Sequence, residues 1–133
     1  TEKMNLVVTP IYAFAVSIIY MILWFRVTSL RAELGHSIGD GGDPKLLLRI
    51  RQHGNCFEWS VFIVLLMTVA EGAGVSTAYL HVFGVLLLVG RIAHPFGLKI
   101  DRANHPLRYV GNGPNIIATV GLITSLGISI FGR

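Results

Sequence analysis

The sequence predicts an all-α membrane protein, a bundle of four transmembrane helices forming one domain over residues 1–133. Three observations predict it. The chain is 53% hydrophobic and only 14% charged, whereas a soluble domain is about one-quarter charged. Its apolar residues gather into four segments, each close to the roughly 20 residues that span hydrocarbon. The segments are continuous runs rather than alternating ones. Only helices and closed barrels cross lipid with every backbone group bonded, and continuity favours helices.

The first segment covers residues 6–25 and is ended by Arg26. It is longer than a signal-peptide core and lacks a Lys/Arg-headed start, so it reads as a span rather than a cleaved leader. The second covers residues 46–70, and Asp43-Pro44 before it reads as an N-cap followed by a first-turn proline. The loop ahead of it holds Gly35, Gly39, Gly41 and Gly42. It lacks the Gly-Lys-Ser/Thr ending of a phosphate loop and reads as a flexible connector. A turn at Glu71-Gly72-Ala73-Gly74 leads to the third segment, residues 79–98, which contains Arg91. The fourth, residues 114–131, carries no charge. Asn112-Gly113-Pro114 is either a loop before that segment or a kink in a helix beginning near Pro106. Within it Gly121, Ser125 and Ser129 recur every four residues, a spacing of small residues that lets helices approach closely in a membrane.

The cations fix an orientation. Arg26, Arg31, Lys45, Arg49 and Arg51 surround the first connection, and Arg91, Lys99, Arg102 and Arg108 surround the third. All nine fall on one side of a four-span topology, against Lys3 and Arg133 on the other. The positive-inside rule places the nine in the cytoplasm and both termini on the non-cytoplasmic side. The net charge of +4 is therefore accounted for by the flanks of apolar spans, which argues against a nucleic-acid partner. Cys56, the single cysteine, cannot form an intrachain disulfide. His53, His94 and His105 show no metal-ligand spacing, and no metal site is expected.

A polar cluster lies inside the second span. Arg51, Asn55 and Glu58 stand at i, i+4 and i+7 and fall within about 60° of one another on a helix. Glu58 follows Pro44 by 14 residues, roughly 20 Å along the axis. A carboxylate at that depth costs about 2.5–3.5 kcal/mol against lipid, so it must face protein, water or a ligand. A structural ion pair between Glu58 and Arg91 is one reading; a functional site is the other, since that pair leaves Arg51 and Asn55 unexplained. Arg49 and His53 point to the opposite side of the helix. Arg49 alone reads as a side chain snorkelling to headgroups. Two polar faces on one helix fit an oligomer with a neighbouring subunit against the second face.

The stretch Arg51-Gln-His-Gly-Asn55-Cys-Phe-Glu58 matches an Arg-x-x-x-Asn-x-x-Glu signature and resembles that of the MAPEG family, the membrane-associated proteins in eicosanoid and glutathione metabolism. Gly90-Arg91-Ile-Ala-His94-Pro-Phe-Gly97 is similar to the family's third-helix motif, in the form seen in bacterial members. Arg108 sits where the family keeps an arginine at the start of helix 4. The resemblance covers nearly the whole chain. It implies a homotrimer with glutathione as co-substrate in clefts between subunits near the cytoplasmic face. It further implies that Arg51, Asn55, Glu58, Arg91 and His94 bind glutathione, that His53 approaches it from the adjoining subunit, and that Arg108 is catalytic beside the sulfur. Trp59, His94 and Leu98 stand where glutathione-using members carry tyrosines.

The chemistry implied is thiol activation. A free thiol with pKa near 8.5 is only a few per cent thiolate at neutral pH, and a desolvated cation beside it can make thiolate the majority form. The thiolate then attacks a lipophilic small-molecule electrophile entering from membrane lipid. Three functions follow as alternatives: a glutathione-dependent transferase or peroxidase; a non-catalytic lipid-binding or scaffold protein of the same family; or a small proton-coupled exporter built on Glu58. The arginines around Glu58 favour anion binding over proton cycling. A bacterial inner membrane is expected ahead of an endoplasmic reticulum.

Overall fold

A computed structural model describes Lys3 and residues 5–132; Arg133, counted above among the outer cations, lies outside the described residues. Four helices follow one another, α1 (Thr9–Leu34), α2 (Pro44–Gly72), α3 (Thr77–Gly97) and α4 (Pro106–Phe131). All four are long and apolar enough to cross a membrane. The expected all-α four-helix bundle is the fold, and its lipid-facing sides carry large exposed hydrophobics such as Phe14, Phe25, Ile117 and Phe62.

Proline starts three of the helices, where its missing N–H is not needed. Asp43 caps α2 by accepting from the Leu46 amide at 2.8 Å, and His105 Nδ1 accepts from Leu107 at 3.2 Å in α4. Val8, at the N-cap of α1, has no capping oxygen of its own. The Glu71 carboxylate supplies it from the end of α2, accepting from the amides of Val8 and Thr9 at 2.7 Å each and also from Val7. A carboxylate at a helix N-terminus also meets the positive end of the dipole. The turn residue of the sequence reading is thus a clamp between two helices.

Arg26 does not end α1. A charge ends an apolar span, not a helix, and α1 continues to Leu34 because Val27 and Leu30 bury against Leu46. The glycine-rich loop connects α1 to α2 as expected. Gly35, Gly39, Gly41 and Gly42 all adopt left-handed φ, and Arg31 Nη1 donates to the carbonyls of His36 and Gly39 at 3.2 and 2.7 Å. At the other ambiguous boundary, α4 begins at Pro106 and Pro114 lies inside it.

The main core lies between the spans, with Ile63, Met67, Leu80, Leu87, Ala118 and Leu122 fully buried. α3 and α4 make the closest contact. A Cβ on Gly97 would fall on the backbone of Leu107 and Arg108, and one on Gly111 would meet His94 Cα at 2.7 Å. Gly121 likewise receives the Phe83 ring, so the first of the three small residues noted on the fourth span serves a close approach. Ser125 donates to the carbonyl of Gly121 in its own helix at 2.8 Å.

Candidate functional site

The close seating of α3 on α4 sets the site. Arg91 lies one residue after Gly90, whose missing side chain leaves room for Asn115 and the Gly111 carbonyl. The guanidinium is about 1% exposed. Its Nε donates to Asn115 Oδ1 at 2.6 Å, and Nη2 donates to the Gly111 carbonyl at 3.0 Å. Nη1 donates to the Asn55 carbonyl at 3.2 Å and to Asn55 Oδ1. Asn115 is itself held, donating to the carbonyls of Leu86 and Leu87 at 2.9 and 3.3 Å. Three helices therefore meet at one cation through neutral acceptors.

The Glu58–Arg91 ion pair does not form. Glu58 Oε1 instead accepts from Arg51 Nη2 at 3.2 Å, one turn-pair away on the same face of α2, and this is the one ion pair among the described residues. Both side chains remain more than half exposed (53% and 55%). Asn55 lies between them in sequence but turns inward, since its amide is needed as an acceptor for Arg91. Arg91 itself keeps a positive charge without a carboxylate, its desolvation offset by charge-assisted hydrogen bonds alone.

His94, one turn beyond Arg91, is 2% exposed. Its Nδ1 finds no partner among the described residues. Arg91 precedes it by one turn on α3, and the start of α4 brings the Arg108 backbone against Gly97, one turn after it. Arg108 is half-buried at the start of α4, and its Nη1 donates to the Ala103 carbonyl at 2.8 Å. The backbone contact at Gly97 is what brings it there. The arrangement is a net positive cluster that includes one carboxylate, Glu58, paired with Arg51.

The opposite face of α2 is covered by α1 of the same chain. Arg49 Nη1 donates to the Arg26 carbonyl at 2.8 Å, so it turns inward rather than reaching for headgroups. The His53 ring lies 4.7 Å from that of Tyr20, with its Nε2 unbonded among the described residues. A neighbouring subunit is thus not required to explain this face. Gln52, between the two faces, accepts from Arg26 Nη1 at 3.0 Å and donates to the Pro95 carbonyl at 2.8 Å.

Sequence reasoning missed Asn115, Gly111 and Gln52. Asn115 was detectable as a strongly polar amide in an otherwise uncharged span, where a polar group needs a named partner. The Gly111 carbonyl left no signal, because any residue has one. No cluster of His, Cys, Asp or Glu among the described residues could hold a metal.

Comparison with known proteins adds two findings. The MAPEG family model matches residues 9–128. The chain is 36% identical over 90 residues to the Inner membrane protein YecN of Escherichia coli strain K12, covering 68% of this chain and 69% of that one. The same protein from E. coli strain CFT073 matches to the same extent. No solved structure matches the chain significantly.

Proposed function

The chain belongs to the MAPEG family, and from that premise we propose that it is a glutathione-dependent transferase or peroxidase acting on lipophilic electrophiles in the membrane. The protein is an integral, multi-pass membrane protein. The proposal places it in a bacterial inner membrane, with both termini on the non-cytoplasmic side, and assembles it as a homotrimer; His53, whose ring packs on Tyr20 of its own chain, is given no contact across subunits in it.

The observation that carries the reading is the Arg51–Glu58 pair, 3.2 Å apart and half exposed beside a buried cation. Fixed opposite charges side by side complement a zwitterionic peptide, whose carboxylate would go to Arg51 and whose ammonium to Glu58. The residues present fit such a guest in charge. Glutathione supplies the thiol. Arg108 holds the sulfur in its deprotonated form, the released proton passing to water. Asn55, its Oδ1 taken by Arg91, has its side-chain N–H left to donate to the peptide. Arg91, already saturated by Asn55, Asn115 and Gly111, acts through Asn55 as a positioning residue. One turn from Arg91, His94 keeps a buried ring nitrogen without a partner among the described residues. Leu98 offers no polar group in place of a tyrosine hydroxyl, and Trp59, packed against the main core, offers only an indole N–H.

The test is purified protein in detergent with glutathione and an aryl halide or a lipid hydroperoxide. Turnover is expected, with Arg108→Ala losing most of it, on the order of a hundredfold for loss of one charge-stabilising group. No turnover above blank, together with no glutathione binding by calorimetry, removes the reading and leaves the non-catalytic scaffold.

A further inference from the structure

A second basic site lies away from the Arg51–Glu58 pair. Between α1, α2 and α3 at the cytoplasmic end is a cleft of about 530 Å³. Its cytoplasmic mouth carries Arg26 and Lys99, and its deeper wall carries Ile19, Ile22, Ile92 and Phe96. No acidic residue lines it. Asp101, two residues beyond Lys99, forms no ion pair with it.

The mouth is electrostatically uncompensated. Arg26 bonds a neutral amide, Gln52, at 3.0 Å, and its neighbour Arg49 acts on it as a like charge. Gln52 is 4% exposed and spent on Arg26 and on the Pro95 carbonyl, so it fixes the Arg26 side chain in place. Lys99 makes no hydrogen bond or ion pair among the described residues. Like charges gathered at a membrane surface without a carboxylate call for an anion. The apolar wall opens towards lipid, since Ile22, Ile92 and Phe96 are each more than half exposed.

We propose that this cleft binds an anionic phospholipid of the cytoplasmic leaflet, its phosphate between Arg26 and Lys99 and an acyl chain along Ile22, Ile92 and Phe96. The polarity of the cleft matches the polarity of that leaflet. Both cations stand at the level of the headgroups, and the apolar residues lie one to two turns deeper on α1 and α3. A guanidinium already oriented by Gln52 presents its remaining donors to phosphate oxygens, and the flexible lysine adds a second charge. Arg91, which positions Asn55 in the proposed glutathione site, also lines the inner wall of this cleft, but the lipid contacts are to Arg26 and Lys99, which take no part in that site.

The experiment is native mass spectrometry of the full chain released from nanodiscs containing equal phosphatidylglycerol and phosphatidylethanolamine. Phosphatidylglycerol should be retained over phosphatidylethanolamine. Lys99→Gln should lower that retention about fivefold, the effect expected of one lysine near an anionic leaflet. Arg102→Gln, which removes the same charge from the adjacent loop, should leave it unchanged. Ile92→Trp should displace the lipid by filling the apolar half while keeping both cations. Equal retention of the two lipids, equal losses in Lys99→Gln and Arg102→Gln, or retention untouched by both Lys99→Gln and Ile92→Trp would overturn the proposal. Glutathione binding by calorimetry should be the same in Lys99→Gln and wild type, so failure of either site is read separately.

Discussion

Arg91 Nε and Asn115 Oδ1 lie 2.6 Å apart in the middle of the α3–α4 contact, and neither group has water to fall back on. Truncating one side of such a contact leaves the other buried and unsatisfied. Asn115→Leu keeps the volume and removes the acceptor, so it should destabilise the protein by about 2 kcal/mol or more. Thermal unfolding in detergent measures this. An unchanged midpoint would show that Arg91 has another acceptor.

The Arg51–Glu58 pair should behave differently. Both side chains are half exposed, and exposed pairs contribute about 0–1 kcal/mol. Arg51→Ala should therefore leave thermal stability nearly unaltered while weakening glutathione binding by at least about tenfold, the loss expected of one charge-assisted contact. Equal glutathione affinity in the variant and wild type counts against the assigned role.

Glycines on α4 should separate into two kinds. A Cβ at Gly111 would press on His94, while one at Gly113 would enter open space within the same helix. Gly111→Ala should cost about 1–3 kcal/mol by overpacking. Gly113→Ala should be neutral or stabilising by up to about 1 kcal/mol, because alanine is the better helix former. Comparing the two thermal midpoints tests the seating of α3 on α4; similar shifts would contradict it.

Glu71 should be felt at the far end of α1. Glu71→Ala leaves the amides of Val7, Val8 and Thr9 without their acceptor, and loss of a helix cap costs about 1–2 kcal/mol. Hydrogen exchange at those amides should accelerate by about tenfold or more, while exchange within α3 stays as before. Uniform acceleration across the bundle would mean that Glu71 supports the whole fold rather than this junction.

Much of the architecture was legible because lipid imposes it. The length of the four apolar runs carries the helices, and Asp43-Pro44 carries the start of α2. The start of α4 was ambiguous because Pro106 and Pro114 both satisfy a helix-start pattern. The contact of Gly97 with the backbone of Leu107 and Arg108 shows α4 already formed there, a tertiary fact absent from local sequence. Within the polar cluster, periodicity placed Arg51, Asn55 and Glu58 on one stripe. It did not show that Asn55 would turn inward to Arg91, nor that neutral groups on α4 would take the place expected for Glu58. The role of Glu71 was hidden because its partners lie more than 60 residues away.

The extension of α1 beyond Arg26 divides the protein by solvent. With 26 residues the helix is roughly 39 Å long, about 9 Å more than the hydrocarbon it crosses. Leu30 meets Leu46 in that surplus, where water, not lipid, is the alternative neighbour. Their contact is thus driven by exclusion of water, whereas the seam of α3 and α4 rests on shape and hydrogen bonding. Urea and cooling, which weaken burial from water, should loosen this collar between α1 and α2 first. The seam beneath it should yield instead to changes in lipid or detergent.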